Sequence, residues 1–269
     1  MPPRLSIVIV SYNTRAVLLQ CLQSLQSPAP TTAHEIIVVD NASADGSAAA
    51  ARQLPGITVL EAGANVGFSA ANNLGIRASQ GAELLLLNSD TIVPAGAIDA
   101  LVAVLDRHPE ATVIGPRLVD GEGRVELSFG RMITPLNEWR QGRIVRALAA
   151  GDPATVARVE AMTRQPHWPD WVSGACLLVR REAAFAAGLL DERFFMYTED
   201  VDFCASIRAR HGRVLFTPDV QIVHLGGRSK ATASQATHLA YRRSQLAFYE
   251  KHHPSLAPLL RIYTRLRDR

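Results

Sequence analysis

The first half of the chain repeats one rhythm: a short uninterrupted apolar run, a polar cluster, then apolar residues at helical spacing. Ser6-Ile7-Val8-Ile9-Val10 predicts a buried strand, and Thr14 to Gln26 a helix with Val17, Leu18, Cys21, Leu22 and Leu25 along one face. Glu35 to Asp40 predicts a second strand. A short helix follows over Ala44 to Gln53, with Ser43 as its cap. Ile57 to Leu60 and Glu83 to Asn88 read as further strands, and Ser69 to Ser79 and Pro94 to Arg107 as helices. Strands that are apolar throughout, with no alternation, must be covered on both faces. The pattern therefore dictates an α/β fold with a mostly parallel central sheet and helices on both sides.

After about Thr112 the rhythm changes. Val113 to Gly115 predicts a strand, and Arg117 to Leu127, around Asp120-Gly121-Glu122-Gly123, a hairpin. Phe129 to Asp170 reads as an irregular excursion, helical only from Ala154 to Met162. Val172 to Arg180, Val214 to Phe216 and Val220 to Val223 predict strands; Arg181 to Ala187 and Val201 to Arg210 predict helices. From Ala231 the pattern is helical to the end. The division expected is a catalytic domain over residues 1–230 and a C-terminal helical extension over 231–269. Within the domain, the regular alternation fills one half, about 1–115, and the less regular pattern the other, 116–230.

Composition narrows the class. A hydrophobic content of 48% over 269 residues supports a substantial core and excludes disorder. Three cysteines, odd in number and without a CxxC pair, argue against a disulfide framework or a zinc site and suit a reducing compartment. The apolar run Leu5 to Val10 is too short for a signal-peptide core, and no run approaches a membrane span, so a cytoplasmic protein is expected. The net charge of +3 resides in the tail, where Arg261, Arg265, Arg267 and Arg269 face only Asp268. A basic tail on a neutral body points to a local anionic partner and away from nucleic acid.

Open α/β sheets bind ligands at the carboxyl ends of their strands. Four polar clusters fall there: Ser11-Tyr12-Asn13, Asp40-Asn41-Ala42-Ser43, Gly63 to Ser69, and Asn88-Ser89-Asp90. Each alone reads as a cap or turn; four in register line a nucleotide pocket. Asp90 offers a hard oxygen to a divalent cation on a diphosphate. Glu199, Asp200 and Asp202 follow the aromatic run Phe194 to Tyr197. Apolar walls and neighbouring like charges raise a carboxylate's pKa, as suits a general base, while a helix N-terminus stabilised by acids is the bland alternative. His224 precedes Gly226-Gly227-Arg228-Ser229; its imidazole is either a candidate for a metal shell or a structural hydrogen-bonder, and Arg228 and Ser229 could reach phosphate oxygens.

Three early segments, Ile7 to Asn13, Val38 to Ser43 and Asn65 to Asn73, resemble the family 2 glycosyltransferases of the GT-A fold. The likeness continues in order through Leu87 to Asp90, Ser173-Gly174-Ala175, Phe195 to Asp202 and His224 to Gly227, spanning roughly residues 5 to 230. The segments NVGFSAANN and TEDVDF resemble the rhamnosyltransferase branch in particular. The resemblance implies that Asp40 contacts the donor's nucleobase, with Ser11 and Asn13 lining the same pocket. Asn65, Gly67, Asn72, Asn88, Ser89 and Arg228 complete the implied nucleotide-sugar set. Asp90 and His224 are the implied metal ligands, for Mg2+ or Mn2+, and Asn88 stands where the family's DxD motif has its first Asp. Asp200 is the implied catalytic base and Glu199 its neighbour, positioning acceptor or base.

The expected reaction is a single displacement with inversion, moving a sugar, rhamnose from dTDP-rhamnose by the branch resemblance, onto a glycan or lipid-linked hydroxyl. A dinucleotide-dependent oxidoreductase is disfavoured because Ser11-Tyr12-Asn13-Thr14 replaces the glycine-rich turn, and a P-loop NTPase because no GxxxxGK[ST] occurs. A non-catalytic sugar-nucleotide or glycan-binding module on the same fold is the remaining alternative. In the tail, Leu256, Leu259, Leu260, Tyr263 and Leu266 recur at helical spacing among arginines. This face suits either peripheral contact with the inner face of a membrane through residues 255–269, or docking on the catalytic body or a second subunit.

Overall fold

The computed structural model describes residues 2–226 and 235–267. Eight strands form one sheet. Its donor half is β1 (Leu5–Ser11), β2 (His34–Asp40), β3 (Ile57–Glu61) and β4 (Glu83–Asn88), all parallel, with Ser11 level with Asp40 and Val10 with Asn88. Every residue of β1 is buried, as its unbroken apolar run requires. Successive side chains feed opposite faces. Ile7 and Ile9 join the core under α1 (Arg15–Gln26) and α4 (Ala97–Arg107), through Leu18, Leu22, Leu101 and Leu105. Val8 and Val10 join the opposite core, under α3 (Phe68–Ala78).

The remaining strands are β5 (Thr91–Ile92), β6 (Val113–Val119), β9 (Cys176–Arg180) and β10 (Val214–His224). The sheet order is β3-β2-β1-β4-β9-β6-β10-β5, with β9 antiparallel between β4 and β6 and β5 antiparallel to β10, so the sheet is mixed. The predicted strand Val172 to Arg180 divides: Trp171–Val172 forms β8, paired with β7 (Phe129–Gly130) in a separate two-stranded ribbon. The two short strands expected over 214–223 are one strand with a register shift between Thr217 and Gln221.

Three further expectations change. The helix expected over 44–53 shrinks to α2 (Ser47–Ala51). Gly46 takes φ +80 ahead of it, and Ser43 is drawn into the loop, its N–H donating to Asp40 and its Oγ accepting from the N–H of Asn13. The hairpin over 117–127 reduces to a turn closed by the Asp120 carboxylate and a single bridge, Val119 to Val125, because Arg117, Leu118 and Val119 instead pair with β10. The excursion holds two helices, α5 (Pro135–Ala149) and α6 (Pro153–Met162). Both begin with proline after a capping side chain, Thr134 and Asp152, that accepts a hydrogen bond from a first-turn N–H.

Past β9 come α7 (Arg181–Ala186) and α8 (Glu199–Arg208), then, after β10, α9 (Gln235–His252) and α10 (Ala257–Arg267). The extension is fastened to the catalytic body. Buried Asp202 on α8 accepts from Lys251 Nζ at 2.9 Å, and His252 Nε2 lies 2.6 Å from its other oxygen. Glu138 on α5 accepts from Tyr241, Gln245 and Tyr249. Leu256, Ala257 and Leu260 pack with Phe194, Phe248 and Tyr249, whereas Leu259 and Ile262 remain 65% and 57% exposed. Among the described residues no helix is long and apolar enough to cross a membrane.

Candidate active site

The strand ends converge as parallel pairing demands. Ser11 Oγ lies 3.0 Å from Thr14 Oγ1, which lies 3.1 Å from Ser89 Oγ, so the rims of β1 and β4 are joined by hydroxyls. At the end of β2, Asp40 is 3% exposed. Its Oδ2 accepts from Ser43 N–H at 3.0 Å, while its Oδ1 has no partner among the described residues. A buried carboxylate oxygen left open is an acceptor waiting for a donor. Asn13, at φ +54, holds the facing loop by accepting from Ala44 N–H at 2.7 Å.

Asn65 and Gly67 shape the next loop. Asn65 Oδ1 accepts from Asn41 Nδ2 and from Gly67 N–H, and Val66 N–H donates back to Asn41. Gly67, at φ +88, lets the chain pass against Phe195, where a Cβ would sit 2.7 Å from that residue's carbonyl oxygen. Asn72 is buried inside α3 and donates to Phe68 O at 2.9 Å; Asn73 beside it bonds Leu190 and Glu192. Asn73 thus ties α3 to the loop before α8, Asn72 closes a turn within α3, and neither is hydrogen-bonded to Asp40.

Asp90 meets His224 because β5 pairs with the end of β10, with Thr91 opposite His224. Asp90 Oδ1 lies 3.3 Å from His224 Nε2, and Asn88 Nδ2 lies 3.5 Å from the same nitrogen. His224 Nδ1 is 2.8 Å from Glu126 Oε2, a partner the sequence did not single out. Burial alone would lower the imidazole's pKa; hydrogen bonds to Asp90 and Glu126, with their charges, override it and raise it to about 9. Among the described residues no three His, Cys, Asp or Glu side chains close into a metal cage. Asp90 and His224 nevertheless suit a hard cation shared with a nucleotide, which takes few protein ligands and completes its shell with phosphate and water. Glu126 would then fix the imidazole's orientation from behind. Arg228 lies outside the described residues.

Across β4, Asn88 N–H donates to Ala175 O, and next to Ala175 the N–H of Gly174 donates to Asp200 Oδ2 at 2.9 Å. Val201 N–H holds the other oxygen at 2.8 Å, from the first turn of α8. Burial raises the Asp200 carboxyl above its ordinary range against the pull of those N–H donors. Burial, reinforced by the charge of Asp200, also raises Glu199, whose Oε2 is buried without a partner among the described residues. The loop feeding this pair is strained, with Tyr197 and Thr198 at φ +71 and +69, a conformation costing such residues about 1–3 kcal/mol each. Three hydrogen bonds pin it: Phe68 N–H to Phe195 O, Ser69 Oγ to Phe194 O, and Ser244 Oγ to Met196 O. Asp40 and Asp90 with His224 are thus carried at bonded strand ends, and Asp200, in the first turn of α8, is tied through Gly174 to the segment that enters β9.

Comparisons with known proteins bear on the family and the fold. Residues 6–183 match the family model described as glycosyl transferase family 2. The chain is 32% identical over 263 residues, covering 93% of itself and 85% of the relative, to an N-acetylglucosaminyl-diphospho-decaprenol L-rhamnosyltransferase of Mycobacterium tuberculosis. It is 27% identical to a low-salt glycan biosynthesis hexosyltransferase of Haloferax volcanii over 82% of the chain and 66% of that protein. In fold it superimposes with a TM-score of 0.63 on a mannosyltransferase of Pyrobaculum calidifontis solved with GDP-Man and Mn2+, at 18% identity over 97% of this chain and 69% of that one. A TM-score of 0.60 relates it to residues 1–349 of S. aureus TarS, at 16% identity over 98% of this chain and 88% of that one. A GT-A sheet, a family model over most of its length and a rhamnosyltransferase relative together make this chain a nucleotide-sugar glycosyltransferase of family 2.

Proposed function

We propose that the enzyme transfers rhamnose from dTDP-rhamnose to a lipid-linked diphosphate sugar, with inversion at the anomeric carbon. The observation that carries the chemistry is the Asp200 carboxylate. It is immobilised by the Gly174 and Val201 N–H groups and raised in pKa by burial, and it sits beside the strand ends that bear Asp90 and His224. Each carboxylate oxygen retains a lone pair after those bonds, so Asp200 can accept the acceptor hydroxyl's proton as that oxygen attacks. The new bond joins the acceptor oxygen to the anomeric carbon while the bond to the donor diphosphate breaks, and the nucleoside diphosphate departs with the electron pair. Asp90 and His224 would hold Mg2+ or Mn2+, which supplies charge neutralisation to the diphosphate when bound. Glu199, uncharged in its buried place, would orient Asp200 or the acceptor.

The open Oδ1 of Asp40 would accept a hydrogen bond from the base, with Ser11, Asn13 and Ser89 around it. Residues 1–115 would serve the donor, 116–230 the acceptor, and 231–269 would brace the catalytic loop. The rhamnose and lipid-diphosphate assignments draw on the M. tuberculosis relative, whose name states both. An acceptor of that kind would be met at the cytoplasmic face of a membrane. A panel of nucleotide sugars with Mg2+ or Mn2+, scored for nucleoside diphosphate release with and without chelator, tests the donor and the cation. The expected result is chelator-sensitive release from dTDP-rhamnose, and an inverted linkage by NMR. Retention of configuration, or turnover indifferent to chelator, would contradict the scheme.

A further inference from the structure

A groove of about 800 Å³ lies between α5, α6 and the β7–β8 ribbon. Its volume falls within the range of small-molecule sites, roughly 300–1,000 Å³. The groove is of two kinds of surface. Trp139, Ile144, Ala147 and Met162 give it an apolar wall along the two helices. Arg131, Arg140, Arg143 and Arg158 line it as well. None of these four guanidiniums forms an ion pair among the described residues; Arg143 lies over the Trp139 ring at 5.0 Å. The groove's one carboxylate, Asp170, is already engaged by Arg208 at 2.7 Å and by Met132 N–H at 2.8 Å. The electrostatic field inside is therefore positive and unanswered, next to an exposed tryptophan and alkyl side chains.

Position links the groove to the chemistry. The ribbon that walls it, Phe129–Gly130 against Trp171–Val172, continues into Ser173, whose N–H donates to Ser128 O, and then into Gly174, which holds Asp200. Trp171 Nε1 donates to Arg131 O at 2.9 Å, and Gly130 packs so closely on that indole that a Cβ there would sit 2.7 Å from it. The groove wall and the anchor of the base are thus one rigid piece. From α5, Glu138 ties into α9, which in turn holds Met196 O of the catalytic loop. A helix with no buried residue, carrying Trp139 at 55% exposed, is what remains to be explained.

We infer that this groove binds the isoprenoid diphosphate portion of the acceptor. The arginines take the diphosphate, as guanidiniums do in bidentate fashion, and the Trp139, Ile144 and Met162 wall takes the isoprenoid chain. The inference rests on the lipid-linked acceptor proposed above and adds where that acceptor is held. Seated there, the sugar on the far side of the diphosphate is directed along the ribbon toward Asp200.

The test is calorimetry on the full chain with farnesyl diphosphate as probe, with Mg2+ and saturating dTDP present to fill the donor's diphosphate position. Farnesyl diphosphate is expected to bind, and inorganic pyrophosphate and farnesol at least tenfold more weakly. The double variant R140Q/R143Q should lose at least tenfold in farnesyl diphosphate affinity, and Trp139→Ala at least threefold. Both should keep the wild-type melting temperature and dTDP affinity, since α5 buries no residue. Failure of farnesyl diphosphate to bind, equal affinity for pyrophosphate, or undiminished binding by R140Q/R143Q would overturn the inference. Calorimetry needs no turnover, so the groove can fail while donor turnover stands, and donor turnover can fail while the groove binds.

Discussion

The two halves of the sheet are built for different duties. Residues of β1, β2 and β4 are buried almost to the last side chain, and the loops at their ends close their own hydrogen bonds through Asn13, Asn41, Ser43 and Asn65. Each half leaves one buried carboxylate oxygen open, on Asp40 and on Glu199, but the half from α5 to α8 adds a raised Asp200, two consecutive residues at positive φ, and groove arginines with no acid partner among the described residues. A donor nucleotide has a fixed shape that a preformed cradle can match. Moving a proton requires a group held away from its resting state, and that costs stability locally. The contrast teaches which half tolerates change in stability and which in rate.

The sharpest way to break this contrast is Asp200→Asn. If the carboxylate is the base, turnover should fall by ~10²–10⁴-fold while dTDP affinity is unchanged, because its removal touches only proton transfer. Single-turnover kinetics beside nucleotide titration separates the two. A parallel loss of nucleotide affinity would move Asp200 into the donor half.

How much of this was legible beforehand follows from what each residue signals locally. Asp40 and Asn88-Ser89-Asp90 stood out because polar residues interrupt apolar strands, and the acids after Phe194 to Tyr197 because carboxylates beside aromatics are unusual. Glu126 carried no such mark. It belongs to the site only through His224, 98 residues later, and sits in a segment that reads as a hairpin. The direction of β9 was equally hidden, since a fully buried strand has the same apolar run whichever way it points. α5 escaped notice because its apolar residues are not drawn to one buried face. Asn72 belonged to a motif legible as a whole, but that its amide braces a helix turn depends on geometry that spacing does not encode.

Gly67→Ala probes the seam between the halves. Both the φ of +88 and the overlap with Phe195 oppose a side chain, so the loop before α8 must shift. The expected loss is about 1–3 kcal/mol of unfolding free energy, with turnover falling further than dTDP affinity. Denaturant unfolding and donor kinetics check it. An alanine tolerated in both would mean that the donor loop does not position the catalytic one.

Glu199→Gln should act in the opposite direction on stability. The native carboxyl keeps its proton above the ordinary carboxylate range, because burial and then Asp200 disfavour its charge. Below that range folded and unfolded chains are both protonated there, and the group adds no pH dependence. As pH rises, the unfolded chain ionises first, and stability falls until the folded group ionises too. The amide removes that slope: it should be neutral at pH 4 and stabilising by about 1 kcal/mol or more at pH 8, where each pKa unit is worth ~1.4 kcal/mol. Melting curves at the two pH values give the answer, and a wild-type slope retained in the variant would assign the pH dependence elsewhere.

The smallest effect expected is Val145→Ser on α5, and its smallness is informative. Val145 is 47% exposed, belongs to a helix with no buried residue, and lies outside the lining of the groove. Val and Ser have similar helix propensity, so neither packing nor backbone should register the exchange, and unfolding free energy should change by less than about 0.5 kcal/mol. A buried valine in the donor half has no such freedom: Val8, fully buried against Gly75, loses its packing and buries a hydroxyl if changed in the same way. If Val145→Ser instead destabilises by more than 1 kcal/mol, α5 is packed in solution as the donor half is packed. The division between a closed cradle and an open acceptor side would then have to be redrawn at α5.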